Sequence, residues 1–254
     1  MPHLFVNRPF ARFPEDLRNH FRWEIFNAIC YLTGGVIFII GSVLFLPKYE
    51  EYIHIGSWLF IIGSFLYLIV SGHDLHRLMH ASNPKTVDVL AASTYCAGGL
   101  VFIVGSYQFL PSVGAYRAGA YNFIAGSLLF IFGAVYNAIQ IFDSPTRASA
   151  LYANLTAVCY LIGSTLFLSG SVPYLWSFES EEDAHQLYHY LGSQFILGSV
   201  LFLIGGSFNF YRAHLIFQHA LSTSKVEFQS KHMEVVSSEY HGSSLEEMPR
   251  ATVS

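Results

Sequence analysis

Three histidines stand at a spacing that suits metal binding: His73, His76 and His80. On a continuous helix these positions share one face, and imidazoles gathered on one face can bind zinc or another transition metal. The same three side chains also suit an interfacial role beside lipid headgroups and Arg77. The sequence therefore offers two hypotheses for this cluster, a metal site and a membrane-boundary segment.

The common catalytic sequence motifs are absent from the sequence. It contains no P-loop, no nucleophile elbow and no HExxH motif. The apolar segments carry no Asp, Glu, Lys or Arg at mid-depth, where such a residue marks an ion path or proton relay. We therefore predict that the chain is not an enzyme and has no catalytic residue and no cofactor. A net charge of -4 also predicts no nucleic-acid partner.

Composition indicates that the surroundings of most residues are apolar. Of 254 residues 53% are apolar and only 12% are charged, about half the roughly 25% of a soluble domain. Six segments have the ~20 apolar residues that cross a bilayer. They are residues 24–46, 53–75, 87–110, 116–142, 149–170 and 187–217. No proline lies inside them, so we expect six continuous transmembrane helices and an all-α fold.

Each segment repeats one pattern, Gly-Ser, then any two residues, then Phe or Tyr. Each segment also carries a second glycine seven residues from the first. The Gly-Ser steps are Gly41-Ser42, Gly63-Ser64, Gly105-Ser106, Gly126-Ser127, Gly163-Ser164 and Gly198-Ser199. Because the pattern recurs once per segment, the unit is a two-helix hairpin present in three parallel copies. A pseudo-threefold bundle and a linear row of hairpins are both compatible with this repeat.

We interpret the Gly-Ser steps as a helix-packing device. Small residues let helices approach closely in lipid, and we expect each aromatic ring to lean back over the glycine face of its own helix. The alternative is that the serine hydroxyls line a pore. Recurring amides, among them Gln108, Asn122 and Gln194, predict hydrogen bonds between helices.

Basic residues define the orientation. One set of loops and termini carries eleven Lys and Arg residues, and the other carries only Lys48 and Arg117, so both termini should be cytoplasmic. The predicted divisions are an N-terminal segment at 1–22, hairpins at 23–80, 86–143 and 149–218, and a serine-rich tail at 219–254. The tail is too polar to fold alone, which predicts disorder.

The first hairpin runs from Phe21-Arg22-Trp23-Glu24 through Gly34-Gly35 to Trp58 and Gly63-Ser64. It resembles the YrhK-like domain, a two-span membrane module. The resemblance is best over residues 20–78 and weaker over 90–142 and 150–212. It implies a multi-pass membrane protein and supplies no substrate, cofactor or catalytic residue.

Three functional hypotheses follow. The first is a non-enzymatic structural or interaction protein whose partners are the lipid bilayer and a second copy or another membrane protein. The second is a channel or facilitator for a small neutral solute. The third is a metal-binding membrane protein that uses the histidine face. The sequence does not distinguish which membrane the protein occupies.

Overall fold

The computed structural model describes residues 14–81, 83–139, 146–176 and 181–246. Its long helices are α1 (Pro14–Leu44), α2 (Ile53–Met79), α3 (Thr86–Gln108), α4 (Tyr116–Ile139), α5 (Arg147–Ser171) and α6 (Glu181–Glu246). Short 3₁₀ helices at Pro47–Tyr52 and Val172–Leu175 follow α1 and α5. The described part of the chain is therefore all-α, as the sequence predicts.

Local sequence explains where these helices begin and end. A proline lies at the start of each 3₁₀ helix, where its missing N–H costs no hydrogen bond. The side chain of Thr146 accepts a hydrogen bond from the Ser149 backbone at 3.1 Å and caps α5. Gly114 has a φ of 64° in the turn between α3 and α4, a conformation that glycine adopts without strain.

The six helices form a closed ring. Each helix packs against its neighbours in the chain, and α1 also packs along α6. The three hairpins α1–α2, α3–α4 and α5–α6 are thus related by a pseudo-threefold axis, and a linear row of hairpins is excluded. We call the end of the ring that carries Arg22, Arg77, Lys85, Arg147 and Arg212 the basic end.

All six helices are long and apolar enough to cross a membrane, and each of these spans is 39–50% buried inside the bundle. The rest of their surface carries exposed large apolar side chains such as Ile29, Phe65 and Phe132, which suit contact with lipid. The chain is a multi-pass integral membrane protein.

Helix α6 continues well beyond the sixth predicted span. It includes residues 219–246, for which the sequence predicts a disordered tail. No proline interrupts these residues, and Lys, Glu, Gln and Met in them are good helix formers. Disorder of residues 219–254 stays a prediction, and residues 247–254 lie outside the described part of the chain.

Candidate functional site

Glycines and aromatic rings interlock inside each hairpin. A Cβ atom added to Gly34 would lie 2.7 Å from Cε1 of Tyr67, and one added to Gly98 would lie 2.7 Å from Cε1 of Phe130. The rings therefore cover the glycine of the partner helix, and the expectation that each ring covers its own helix is wrong. Antiparallel glycines face each other at one level, so each leaves a depression that the other helix fills.

The third hairpin is shifted in register relative to its sequence pattern. Gly163 faces the Gly198 carbonyl and the Phe202 ring, just as Gly34 faces the Gly63 carbonyl and the Tyr67 ring. Gly163-Ser164 therefore occupies the place of Gly34-Gly35. The structural counterpart of Gly41-Ser42 is Gly170-Ser171, one heptad further along. The Gly-Ser motif therefore does not mark equivalent positions in the three hairpins. In α1 and α3 it occurs at the same structural position, and in α5 it occurs seven residues earlier.

With this register, the axis of the bundle is filled by tiers of equivalent rings. Rings from different hairpins meet edge to face: Phe45 and Phe109 at 5.7 Å, Phe60 and Phe167 at 6.1 Å, and Phe123 and Phe195 at 6.3 Å between centroids. Such geometry is favourable for aromatic pairs. We call this region the aromatic core. Its members are Phe38, Phe45, Phe60, Tyr67, Phe102, Phe109, Phe123, Phe130, Phe167, Phe195 and Phe202.

One small cavity lies within the aromatic core. Its volume is about 10 Å³. The residues that line it are mostly phenylalanines, such as Phe38, Phe102 and Phe167, together with Ser164 and three tyrosines. That space is at the lower limit for a single water, and a water also needs two or more polar partners. This cavity is therefore too small to form a water-filled path among the rings that line it.

The serines of the Gly-Ser steps do not form a polar path. Ser42, Ser106 and Ser199 each donate a hydrogen bond to the carbonyl four residues earlier in their own helix, at 2.7–2.8 Å. The hydroxyl oxygens of Ser42 and Ser199 also lie 3.0 Å apart across the α1/α6 interface. The other three, Ser64, Ser127 and Ser164, are buried and make no hydrogen bond within the described part of the chain.

Amides in the half of the bundle away from the basic end pair across helices. Asn122 donates to Gln108 Oε1 at 2.7 Å, which joins α3 to α4. Ser169 donates to Gln194 Oε1 at 2.6 Å, which joins α5 to α6. These contacts confirm the prediction of interhelical hydrogen bonds for Gln108, Asn122 and Gln194.

A second region, near the basic end, buries polar and charged side chains. Every helix contributes to it, and each member is at most 6% exposed. We call it the polar layer. Its members are Asn27, Asp74, Asp88, Asn137, Ser149, Asn209 and Arg212.

The polar layer joins neighbouring helices. Arg212 Nε donates to Ser149 Oγ at 3.3 Å, and the negative charge of Glu24 in α1 acts on the same guanidinium. Arg212 thus connects α6 to both α5 and α1. Asn137 Nδ2 donates to the hydroxyl of Tyr95 at 2.8 Å, which links α4 to α3.

Buried tyrosines separate the polar layer from the aromatic core. Tyr31, Tyr95 and Tyr160 hold equivalent positions in the three hairpins, and all three are at most 3% exposed. Tyr67 donates from its hydroxyl to the Tyr31 carbonyl at 3.3 Å. The interior therefore changes along its axis from charged and amide groups, through phenols, to phenylalanine.

The structure does not bring the three candidate metal ligands together. The His73 ring lies 3.5 Å from the Trp23 ring in α1, centroid to centroid. His76 and His80 lie beside each other on the exposed side, with His80 Nδ1 at 2.9 Å from the His76 carbonyl. Among the described residues no group of three His, Cys, Asp or Glu side chains could hold a metal ion.

The burial of the charged members of the polar layer, Asp74, Asp88 and Arg212, is the feature that sequence reasoning missed. These members lie near helix ends, where a search for charges at mid-depth does not find them. A signal was nevertheless present, because Asp74, Asn137 and Asn209 hold equivalent positions in the second helix of each hairpin. Aligning the hairpins on Gly63, Gly126 and Gly198 places these residues in one column.

Comparison with known proteins agrees with the hairpin organisation. The family model described as YrhK-like protein matches residues 21–79 and again residues 85–141, so two successive copies fall on the first two hairpins. The third hairpin, in which serine replaces the second glycine of the Gly-Gly pair, lies outside both matches. No curated protein and no solved structure matches the chain.

Proposed function

From the premise that this chain is a multi-pass membrane protein with two YrhK-like domains, we propose that it acts as a non-enzymatic scaffold in the bilayer. Its third hairpin completes a rigid ring, and the lipid-facing surface of that ring is offered to a second copy or to another membrane protein. The observation that carries this proposal is the aromatic core, whose rings meet on the axis around a cavity of about 10 Å³.

Rigidity follows from how the interior is packed. Rings fit into glycine depressions inside each hairpin, and rings of different hairpins meet on the axis. Close-packed interiors have few alternative arrangements of similar energy. A protein built this way suits a role in which it holds a shape.

The solute-channel hypothesis finds little support in this arrangement. A path for a small neutral solute needs polar groups that succeed one another along the axis. Here the hydroxyls of Ser42 and Ser106 are directed to carbonyls of their own helices, and the axis is occupied by phenyl rings.

The histidine hypothesis is likewise weakened, because His73 contacts Trp23 while His76 and His80 lie apart from it on the exposed side. We keep the proposal that both termini are cytoplasmic. The Lys and Arg counts of the loops support it.

Solute flux through proteoliposomes tests the proposal directly. Purified protein is reconstituted, and permeation of water, glycerol and ammonia is followed by stopped-flow light scattering or a pH dye. We expect rates equal to those of protein-free vesicles. Flux above that background in the wild type would overturn the scaffold proposal in favour of a facilitator.

A matched variant shows that the assay can detect an axial path. Replacing Phe60, Phe123 and Phe195 by alanine removes one equivalent ring from each hairpin on the axis. If that variant folds and leaks while the wild type does not, the aromatic core is the barrier. Single alanine variants serve if the triple variant does not fold.

A further inference from the structure

Charge is sorted between the inside and the outside of the basic end. Among the side chains described there, the three carboxylates are drawn inward: Asp74 and Asp88 are 5% exposed and Glu24 is half-buried. Cations remain on the surface at Arg22, Lys85 and Arg147, all of which are exposed. Among the described side chains of this end, the exposed charged groups are therefore positive.

The three exposed cations follow the repeat. Arg22 lies near the start of the first span, Lys85 directly precedes α3, and Arg147 is the first residue of α5. Each hairpin thus places one cation where its first helix enters the membrane. We call these three residues the cationic rim.

The opposite end has a different surface. Glu50, Glu51 and Glu182 are exposed there. Its two basic side chains, Lys48 and Arg117, are exposed as well, and Arg117 donates to the Leu175 carbonyl at 2.7 Å. Among the described side chains, the opposite end therefore exposes acids together with cations, whereas the basic end exposes cations without acids.

We propose that the cationic rim binds the phosphate groups of anionic phospholipids in the adjoining leaflet. The spans begin at or next to these residues, which places them at the level where lipid phosphates lie. Basic side chains at that level contribute favourable interactions with acidic lipids. Because Asp74 and Asp88 are buried and Glu24 is half-buried, the repulsion of the headgroups by these three carboxylates is reduced.

This inference deepens the proposed scaffold role, because it names the lipid partner of the same ring. The two can fail separately: solute flux would overturn the scaffold role, whereas only a lipid measurement bears on the cationic rim.

The test compares nanodiscs of phosphatidylcholine alone with nanodiscs in which about a third of the lipid is phosphatidylglycerol. For the wild type we expect a higher unfolding temperature with phosphatidylglycerol, and retained acidic lipids by native mass spectrometry. The triple variant Arg22→Gln, Lys85→Gln and Arg147→Gln should lose both effects. Each charge removed should weaken binding about fivefold.

Control variants decide whether the effect belongs to the cationic rim. Lys48→Gln with Arg117→Gln removes both basic side chains of the opposite end and should keep the lipid-dependent rise. Unfolding temperatures in phosphatidylcholine alone show that the variants are folded. The proposal is overturned if the triple variant keeps the full rise, if both variants lose it equally, or if inorganic phosphate or a soluble polyanion reproduces it in phosphatidylcholine.

Discussion

The aromatic core and the polar layer solve the problem of joining six helices by different physical means. In the aromatic core, equivalent positions all hold aromatic rings, as in Phe38, Phe102 and Phe167. In the polar layer, equivalent positions differ, as in Asp74 and Asn137. Shape alone determines a good contact between rings and glycines, so symmetry suits it. A buried charge needs its own partner, so the polar layer departs from symmetry where partners differ.

The largest effect should come from adding side chains inside the hairpins. Replacing Gly41, Gly105 and Gly163 by leucine puts bulk where neighbours already touch; a Cβ at Gly105 would lie 2.8 Å from the Phe123 ring. Overpacking costs about 1–3 kcal/mol per site, and three sites together approach the 5–15 kcal/mol or so of total stability. We expect no monodisperse folded protein on size exclusion and loss of cooperative unfolding by circular dichroism.

Gly72 provides the matched control. It lies in α2, and nothing stands within 4 Å of a Cβ atom added there. Gly72→Leu should fold normally, because leucine also has the better helix propensity. A triple leucine variant that assembles like the wild type would contradict the packing role of these glycines.

The second-largest loss of stability should come from a substitution in the polar layer, where the effect arises from charge and not from side-chain volume. Arg212→Leu removes the bond to Ser149 and leaves Glu24 without the nearby positive charge. Breaking a buried ion pair from one side costs about 3–5 kcal/mol. We expect about 3 kcal/mol, because Glu24 is half-buried and water reaches part of it. Denaturant unfolding in mixed micelles measures the loss.

A second substitution separates charge from packing. If the cost arises from the carboxylate, Glu24→Gln in the Arg212→Leu background should restore more than half of the stability. Arg22→Gln, at the exposed surface of the same end, should change stability by less than about 0.5 kcal/mol. A double variant no more stable than Arg212→Leu alone would mean that Arg212 acts through its bulk.

The helices were predictable from sequence and their mutual arrangement was not. Apolar segments and prolines located six helices, because lipid forces the backbone to satisfy its own hydrogen bonds. Ring closure depends on contacts between α1 and α6, which stand at opposite ends of the chain. The register of Gly163 depended on which glycine of α6 it faces, and a repeated motif carries no such information.

The residues of the aromatic core and the polar layer were likewise predictable in type, but their partners were not. The importance of the glycines was visible in their seven-residue spacing, but their partners were assigned to the wrong helix, because ring direction between two helices is a tertiary property. Asp74 was visible as a polar residue among histidines, yet its burial in a layer with Asn137 and Asn209 required the other hairpins to be in place.

The smallest effect compares two serines of one motif in different surroundings. The hydroxyl oxygens of Ser42 and Ser199 lie 3.0 Å apart across α1 and α6, while each hydroxyl also donates to its own helix. Removing one therefore leaves the other satisfied, so a double-mutant cycle with alanine should give a coupling of only about 0.6 kcal/mol, the average for such contacts in membranes. A coupling near zero would mean that the two hydroxyls are in van der Waals contact and do not form a stabilising hydrogen bond.

Ser164 is the matched case without a partner. It is buried and makes no hydrogen bond to any described residue, so Ser164→Ala removes a polar group that gains nothing from the fold. We expect its stability to be unchanged or slightly raised in the same micelle unfolding assay, because an unsatisfied buried hydroxyl is unfavourable. A loss above about 1 kcal/mol would show that this hydroxyl bonds the Tyr160 carbonyl four residues back, as Ser171 bonds Phe167. The aromatic core would then depend on hydroxyls as well as on ring shape.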